Sequence, residues 1–380
     1  MSPELQSAAT SLQKALASAS ASLVEREAVV QLVGLCAVAS EHVLVIGPPG
    51  TAKSEAVRRV ARALGGKYFE YLLGRFTEPT EVFGPVDLKR LKEGVVETQT
   101  DGMLPEADLA FLDEVFLGST AILNTLLGIL NERTFRRGHT RMTCPLRVCV
   151  GASNALPQDE MLAAFADRFL ARIFLTPLPD ARLEELLGGG WSLEKQQLEQ
   201  HATLAELALL ADAVKTVDVT HVRGSLAHCV RLLRQAGIQL TDRRVVRVQR
   251  LVAAAAILAG RDRATEADLW PILYALPTAD AQALGRDVLG DVLRASENAA
   301  LPAAAEEASL GPLARAHRLA GAAGELLDAP PEEADVMATQ AWRLKLEGVA
   351  REMDAGFPPE QLPENLKTLR QRISDAVGDA

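Results

Sequence analysis

The chain contains little cysteine and few aromatic residues. Its 380 residues include four cysteines with no C-x-x-C pair among them, and Phe, Trp and Tyr together make up 4%. This length excludes a small scaffold held together by disulfides. Buried thiols in a reducing cytosol are the simplest interpretation of the cysteines.

Long hydrophobic runs are missing as well. The two longest apolar runs, residues 28–40 and 251–260, are too short to cross a bilayer. The N-terminus also lacks a basic stretch followed by an apolar one, which a secretory signal would need. We therefore expect no membrane span and a cytoplasmic location.

An excess of positive charge is the third absence. There are 40 Lys and Arg against 50 Asp and Glu, a net charge of -10. This balance argues against loose, charge-driven binding of nucleic acid or anionic membrane over the whole surface, although a local basic patch stays possible.

What the chain does contain is typical of a globular protein with two or three domains, since 48% of it is hydrophobic and 24% charged. Short apolar runs alternate with helical stretches from Leu23 to about Leu178, which predicts a parallel sheet covered on both faces. Beyond Pro179 only helical patterns follow. The predicted parts are a flexible N-terminal tail (1–22), an α/β core (23–179), a helical domain (180–298), a linker (299–311) and a helical arm (312–380).

The arm shows two amphipathic patterns. Each has four apolar residues on one helical face: Trp342, Leu346, Val349 and Met353 in the first, and Leu366, Leu369, Ile373 and Val377 in the second. Pro330-Pro331 and Pro358-Pro359 mark the turns, so we expect a helical hairpin or a three-helix arm.

A glycine-rich loop follows the first apolar run of the core. Its sequence is close to the phosphate-binding pattern G-x-x-x-x-G-K-[ST], with Ala52 in place of the last glycine: Gly47-Pro48-Pro49-Gly50-Thr51-Ala52-Lys53-Ser54. Between a strand and a helix, such a loop directs backbone N–H groups at phosphate oxygens. Lys53 would then reach the β and γ phosphates and Ser54 would ligate Mg²⁺. An ordinary turn between a strand and a helix is the alternative.

About 60 residues after the loop, the apolar run 109–112 ends in Asp113 and Glu114. A strand ending there would place Asp113 at the carboxyl edge of the sheet, where it can hold Mg²⁺, and Glu114 near the γ phosphate, where it can activate water. A helix N-cap is the alternative interpretation of this acidic pair.

Two further residues fit the same site. Residues 147–154 are predicted to form another strand that ends on the polar Asn154. If it lies beside the Asp113 strand, Asn154 would reach the same water, although Asn is also a common turn residue. Arg168 closes a helical stretch that begins near Glu160. By default it pairs with Asp167 at the surface, and in a ring it could instead reach a neighbouring subunit's γ phosphate.

These elements, in this order, resemble an AAA+ ATPase of the MoxR family, and within it the RavA-like branch. The resemblance covers about residues 23–280, is most specific over 44–175, and includes Ala52, which that branch uses in the loop. The motifs that carry it are 47–54, Arg75-Phe76-Thr77-x-Pro79-x-x-Val82-Phe83-Gly84-Pro85, 104–107, 111–114, 122–127 and 131–136.

The resemblance implies the fold and the roles of site residues. The fold would be α/β, an AAA+ P-loop parallel sheet core followed by an all-α lid and a helical C-terminal extension. Residues 47–54 would be Walker A, 109–114 Walker B, Asn154 sensor 1 and Arg168 an arginine finger, with ATP and Mg²⁺ as cofactors. In 241–244, Arg243 is the first candidate for sensor 2 and Arg244 the second, while a solvated basic helix start is nearly as good an interpretation.

The family also implies partners. These are other copies of the chain in a ring, expected to be a hexamer, a von Willebrand factor A domain protein and a client protein that is remodelled or receives a metal centre. Two inserts, 85–102 and a hairpin at 134–147, would face the pore of the ring. A helicase-like nucleic-acid motor and an ATP-gated scaffold with little turnover are the alternatives.

Charge is unevenly distributed. Residues 325–360 carry nine acids and three bases, whereas 133–147 carry no acid and the arginines Arg133, Arg136, Arg137, Arg141 and Arg147. The hairpin is therefore a candidate basic surface in the pore.

Overall fold

The structure is a computed structural model. It describes residues 1–178, 183–193, 199–294, 296, 298–310, 320–321, 323–331, 336–356 and 364–378. The predicted boundaries at 179–180 and 311–312 and the predicted turn at Pro358-Pro359 lie outside these residues.

A five-stranded parallel sheet forms the centre of the core, in the order β2-β3-β6-β1-β7. Its strands are β1 (Val43–Ile46), β2 (Tyr68–Leu72), β3 (Leu109–Asp113), β6 (Val148–Ser153) and β7 (Ala171–Phe174). Every neighbouring pair runs parallel. The predicted α/β class is confirmed, and the three central strands are almost wholly buried, as continuous apolar runs require.

Helices surround the sheet. They are α1 (Pro3–Ser20), α2 (Glu27–Ala39), α3 (Lys53–Leu64), α4 (Pro79–Phe83), α5 (Leu88–Lys92), α6 (Thr120–Glu132) and α7 (Glu160–Ala166). Short 3₁₀ turns cover Leu104–Glu106 and Val115–Leu117. Helix α3 begins at Lys53 because the preceding residue, Ala52, adopts a left-handed conformation that ends the loop.

The edge strand β7 was not predicted, because Arg172 interrupts its short apolar run. Arg172 is nevertheless buried, and its guanidinium donates a hydrogen bond of 2.6 Å to the carbonyl of Pro277. Burial lowers the pKa of Arg172 to about 10. A charged residue can occupy a buried strand when a fixed carbonyl accepts its hydrogen bond.

The hairpin predicted at 134–147 is present. Strands β4 (Thr134–Arg137) and β5 (Thr140–Thr143) pair antiparallel in a separate two-stranded sheet. Phe135 anchors the hairpin by stacking on Phe83 of α4, with ring centroids 5.7 Å apart. The other predicted insert closes on itself through a bridge between Val86 and Thr98.

The prediction of a flexible tail over residues 1–22 is wrong. Pro3–Ser20 form α1, which begins at the N-cap Ser2 and buries Leu12 and Leu16. The buried guanidinium of Arg59, on α3, donates hydrogen bonds to the carbonyls of Ser18, Ala19 and Ala21. The many Ala and Ser residues suggested a frayed helix or tail, but the segment is an ordered helix most of whose alanines are buried.

Helices follow the sheet, and no strand occurs after β7 among the described residues. They are α8 (Leu183–Leu193), α9 (Leu204–Val214), α10 (Arg223–Gln235), α11 (Asp242–Leu258), α12 (Ala279–Leu293) and α13 (Pro302–Leu310), with 3₁₀ segments at Glu266–Asp268 and Trp270–Ala275. The predicted linker at 299–311 is wrong over α13. That helix buries Ala304, whose carbonyl accepts a hydrogen bond from the hydroxyl of Tyr274.

The chain divides into two compact units. The first contains 1–21, 26–176 and 197–308, and the second 22–25, 177–196 and 309–380. In the second, α14 (Val336–Gly356) and α15 (Glu364–Gly378) share a small core that includes both predicted apolar faces. Across the described residues, no helix has the length and apolar character to cross a bilayer.

Candidate functional site

The carboxyl ends of three adjacent strands bring the predicted site together. Strand β3 ends at Asp113. Its neighbour β6 ends at Ser153 and is followed by Asn154, and the next strand, β1, ends at Ile46 and is followed by Gly47. The amide of Gly47 donates to the carbonyl of Ser153 at 3.1 Å, which ties the start of the loop to β6. Parallel pairing therefore places the predicted loop, aspartate and asparagine at one edge.

The loop needs two special backbone conformations. Gly50 has φ 79°, and Ala52 has φ 59° and ψ 28°. Glycine adopts such angles without cost, whereas alanine is disfavoured there by about 1 kcal/mol. A methyl group built at Gly50 would meet no atom within 4 Å, so the crest of the loop is open, while one at Gly47 would lie 2.9 Å from the carbonyl oxygen of Leu175.

Lys53, Asn154 and Glu114 are joined by hydrogen bonds. The ammonium of Lys53 donates to the carbonyls of Gly47 at 2.6 Å and Pro48 at 3.2 Å, and lies 3.5 Å from Oδ1 of Asn154. Nδ2 of Asn154 in turn donates to Oε1 of Glu114 at 2.6 Å. Three residues that are separated by up to 101 positions are thus in direct contact.

Asp113 and Ser54 provide oxygen atoms next to two residues of this contact, since Asp113 precedes Glu114 and Ser54 follows Lys53. Asp113 ends β3 half-buried, and Ser54 lies in the first turn of α3. Oδ1 of Asp113 accepts a hydrogen bond of 3.0 Å from the amide of Glu114, which itself has a left-handed conformation with φ 48°. One carboxylate and one hydroxyl are the hard oxygen donors that Mg²⁺ takes together with phosphate and water. The donor set therefore fits this ion.

Those two residues would need phosphate and water to complete a metal site. Among the residues that the structure describes, no group of three or more His, Cys, Asp or Glu could hold a metal ion. Mg²⁺ is commonly bound by one or two protein ligands together with the phosphates of its substrate.

Arg26 contacts the loop from the buried side, and sequence reasoning missed it. Its Nε donates to the carbonyl of Thr51 at 2.8 Å, and its Nη2 to the carbonyl of Thr176 at 3.2 Å. Arg26 was missed because an arginine next to Glu27 at a helix start is typical of a solvated surface. The one signal of its burial was the apolar face of the helix that follows it.

Arg168 lies at the opposite edge of the sheet. Strand β7 runs parallel to β1, with Ala171 opposite Val43 and Phe174 opposite Ile46. Residues just before Ala171 therefore lie at the amino edge, about 10 Å along the strands from the end that carries the loop. Arg168 is not brought together with the loop of its own chain.

The surroundings of Arg168 are basic. Its side chain is 22% exposed and 3.9 Å from Asp167. Burial, followed by the positive charge of Arg243, lowers the pKa of Arg168. Within the described part of the chain, Nε of Arg168 is buried without a hydrogen-bond partner. A charged donor in this condition is suited to an acceptor from outside the chain.

Arg243 and Arg244 differ sharply, although both begin α11. Arg244 is buried. Its Nε donates to the carbonyl of Ala275 at 2.9 Å, and its two Nη atoms donate to Asp167 at 3.1 Å, Phe169 at 3.2 Å and Leu170 at 2.6 Å. Arg243 is exposed. The guanidinium of Arg244 is therefore committed to its own fold, and Arg243 is the sensor 2 candidate whose side chain is accessible.

The basic hairpin is less exposed than its sequence suggested. Arg133 caps α6 in a left-handed conformation and donates to the carbonyls of Leu130 at 3.0 Å and Ser40 at 2.8 Å. Arg137 donates to the carbonyl of Gly84 at 3.0 Å. Burial lowers the pKa of Arg133 to about 10. The predicted surface of five arginines thus loses Arg133 and part of Arg137 to internal contacts.

Comparisons with known proteins extend these observations. A family model described as the MoxR domain in MoxR-vWA-beta-propeller ternary systems matches residues 10–213. An uncharacterised protein of Methanocaldococcus jannaschii is 35% identical over 248 residues, which are 65% of this chain and 66% of that protein. The chaperone MoxR1 of Mycobacterium tuberculosis is 28% identical over 204 residues, 52% of this chain and 51% of its own length. The chain therefore spans less than two thirds of either relative.

A solved structure has the same fold. A protein of Cytophaga hutchinsonii assigned as an ATPase superposes with a TM-score of 0.62, covering 78% of this chain and 97% of that one. Its identity to this chain is 16%, so the similarity concerns the fold alone.

The two adjacent arginines of α11 should respond differently to truncation. Arg244→Ala should lower the free energy of unfolding by about 3 kcal/mol, because it removes the guanidinium that pairs with the half-buried Asp167 and with the carbonyls of Phe169, Leu170 and Ala275 in the interior. Arg243→Ala, the matched control, should change it by less than about 0.5 kcal/mol. Urea denaturation of the two variants measures both values, and equal losses would contradict the assignment of Arg244 to the fold.

Proposed function

Because the chain belongs to the MoxR family of AAA+ ATPases, we propose that it is a Mg²⁺-dependent ATP hydrolase that acts as a chaperone-like remodeller. The observation that carries the proposal is the contact of Lys53 with Asn154 and of Asn154 with Glu114, beside Asp113 at the carboxyl edge of the sheet. A phosphate loop, an acid pair and a polar residue on the strand between them are the groups that phosphoryl transfer to water requires.

Each residue has a defined task in this proposal. Residues 47–52 offer backbone N–H groups to the phosphates, and Lys53 neutralises the β and γ phosphates. Asp113 and Ser54 hold Mg²⁺, which supplies charge neutralisation on the phosphates when bound. Glu114 accepts a proton from the attacking water, and Asn154 orients that water.

The hydrogen bonds of Lys53 indicate how binding would start the reaction. Its ammonium now bonds to the carbonyls of Gly47 and Pro48, and phosphate oxygens would replace those carbonyls. Moving Lys53 would also loosen its contact with Asn154, and Asn154 holds Glu114 at 2.6 Å. Arrival of ATP would in this way release Glu114 to water.

A ring of copies accounts for the separation of the arginines from the loop. Arg168 and Arg243 lie at the amino edge of the sheet, and the phosphate loop at the carboxyl edge. If the carboxyl edge of one copy faces the amino edge of the next, both arginines meet a neighbour's γ phosphate. Repetition of such a head-to-tail contact closes into a ring, for which we propose six copies.

The proposed partners follow from the family. The matching family model is described for systems that combine MoxR with vWA and β-propeller proteins. We propose a von Willebrand factor A domain protein as the partner, and a client protein or metal centre as the target. A nucleic-acid motor has less support, because Arg133 and Arg137 of the basic hairpin are engaged in internal hydrogen bonds.

Glu114→Gln should separate binding from turnover. The amide keeps the size and hydrogen bonding of the side chain but cannot take a proton, so kcat should fall at least about 100-fold while ATP still binds. Steady-state phosphate release and nucleotide titration measure the two properties. Glu160→Gln, which changes an exposed glutamate of α7, is the control and should leave hydrolysis unchanged. Unchanged hydrolysis by Glu114→Gln would overturn the assignment.

Mixing two inactive variants should restore activity if Arg168 acts on a neighbour. Arg168→Ala keeps an intact loop, and Lys53→Ala keeps an intact arginine, so an interface between them contains one complete site. Random rings from an equal mixture should regain about a quarter of the wild-type rate. Phosphate release by the mixture is compared with each variant alone. No recovery in assembled mixed rings would exclude action between subunits.

Partner binding should depend on ATP. A tagged Glu114→Gln chain with ATP should retain a co-expressed von Willebrand factor A domain protein, because the nucleotide is trapped. Lys53→Ala, which lacks the cation for the phosphates, should retain much less of it. Copurification of the two co-expressed proteins measures this. Equal retention by both variants would contradict nucleotide-controlled binding.

A further inference from the structure

A buried arginine contacts the phosphate loop from the interior of the protein. Arg26, which immediately precedes α2, is 6% exposed. Its guanidinium reaches the carbonyl of Thr51 in the loop with Nε and the carbonyl of Thr176 beyond β7 with Nη2. An arginine can satisfy two carbonyls at once because its donors form a rigid planar fork. It thereby ties the loop to the segment that follows the edge strand.

The bond to Thr51 determines the direction of the next amide. No peptide bond in the described residues is cis, so the carbonyl of Thr51 and the N–H of Ala52 point to opposite sides of their shared plane. The carbonyl points to the buried guanidinium of Arg26. The N–H of Ala52 therefore points away from the interior, toward the open side of the loop where phosphate oxygens would lie.

Ala52 makes this support necessary. It has φ 59°, in the left-handed region where a β carbon crowds the backbone. The general phosphate loop has glycine at this position, which adopts the conformation freely. With alanine, relaxation of φ would rotate the Thr51–Ala52 peptide and turn its N–H away from the phosphates. A strained residue persists only where the surrounding structure holds it.

We propose that Arg26 is a positioning residue for nucleotide binding, which holds the Thr51–Ala52 peptide in the phosphate-binding orientation despite the alanine at position 52. The proposal rests on the proposed function, because it concerns the affinity of the same site for ATP. Arg26 does not contact the phosphates. It acts by keeping the binding-competent loop populated, and apparent affinity is proportional to that population.

Four variants of the full chain test this: Arg26→Ala, Arg26→Lys, Ala52→Gly and the double variant Arg26→Ala/Ala52→Gly. Isothermal titration with MgATP measures each Kd. Arg26→Ala should weaken binding about tenfold, the size expected when a hydrogen bond from a charged donor is lost. Arg26→Lys should weaken it less, since one ammonium cannot reproduce the fork.

The glycine variants distinguish positioning from general stabilisation. Ala52→Gly alone should lower Kd by up to about twofold, because glycine removes the strain of the left-handed conformation while the competent loop is already largely populated. In the Arg26→Ala background, the same change should recover at least about half of the lost affinity on a logarithmic scale, because glycine needs no support. A purely structural role of Arg26 would give no such recovery.

Arg172→Ala is the matched control. Arg172 is 7% exposed and also donates to a backbone carbonyl, that of Pro277, but it does not touch the loop. Urea denaturation without nucleotide should show comparable losses of stability for Arg26→Ala and Arg172→Ala, while the Kd for MgATP should rise only for Arg26→Ala. If Arg26→Ala does not fold, Arg26→Lys with and without Ala52→Gly provides the same comparison.

The outcomes separate this proposal from the one on which it rests. If the wild-type chain does not bind MgATP, the proposed function fails and this proposal fails with it. If the wild-type chain binds MgATP, an unchanged Kd in the Arg26 variants overturns the positioning role alone. The same holds if Ala52→Gly restores no affinity.

Discussion

The parallel pairing of β1 with β6 on one side and β7 on the other is the contact on which the rest of the protein depends. It joins segments more than 100 residues apart, with Val43 opposite both Val150 and Ala171. Because all five strands run in one direction, the sheet has two different edges. The phosphate loop, Asp113 and Asn154 collect at the carboxyl edge, and the arginines Arg168, Arg243 and Arg244 at the amino edge.

Buried and half-buried arginines stabilise this arrangement in the same way. Arg26, Arg59, Arg133, Arg172 and Arg244 each direct a guanidinium at backbone carbonyls where a helix, strand or loop ends. Carbonyls at such ends have no partner within their own element, and leaving them unpaired inside the protein costs free energy. A guanidinium with five donors satisfies several at once. These five arginines therefore stabilise the fold.

The chemistry of each edge explains why copies of the chain would suit one another. The carboxyl edge carries Asp113 and Glu114 beside the proposed phosphate loop, where Lys53 contacts Asn154 and, from the buried side, Arg26 donates to the carbonyl of Thr51. The amino edge carries a buried, unpartnered donor at Arg168 next to Arg243. The two edges are complementary in charge, so the proposed head-to-tail contact would pair the acidic edge of one copy with the basic edge of the next.

The α/β class could be predicted from the sequence alone, and the residues proposed to carry the chemistry were found in the same way, because both depend on short local patterns. An apolar run that ends in Asp113 and Glu114 indicates a strand with acids at its end, and a glycine-rich turn before Lys53 indicates a phosphate loop. Neither interpretation depends on how the rest of the chain folds. The strand β7 was missed because Arg172 breaks the apolar run, and α1 because alanine and serine do not reveal which face is buried.

Only the tertiary structure distinguished the arginines. In sequence, Arg243 and Arg244 are adjacent candidates for one role, Arg133 belongs to a basic hairpin, and Arg26 looks like a solvated helix start. In the folded chain, Arg244, Arg133 and Arg26 hold carbonyls of distant segments, while Arg243 is exposed. The role of a guanidinium depends on which acceptors the fold places about 3 Å away, and long-range strand pairing determines those neighbours.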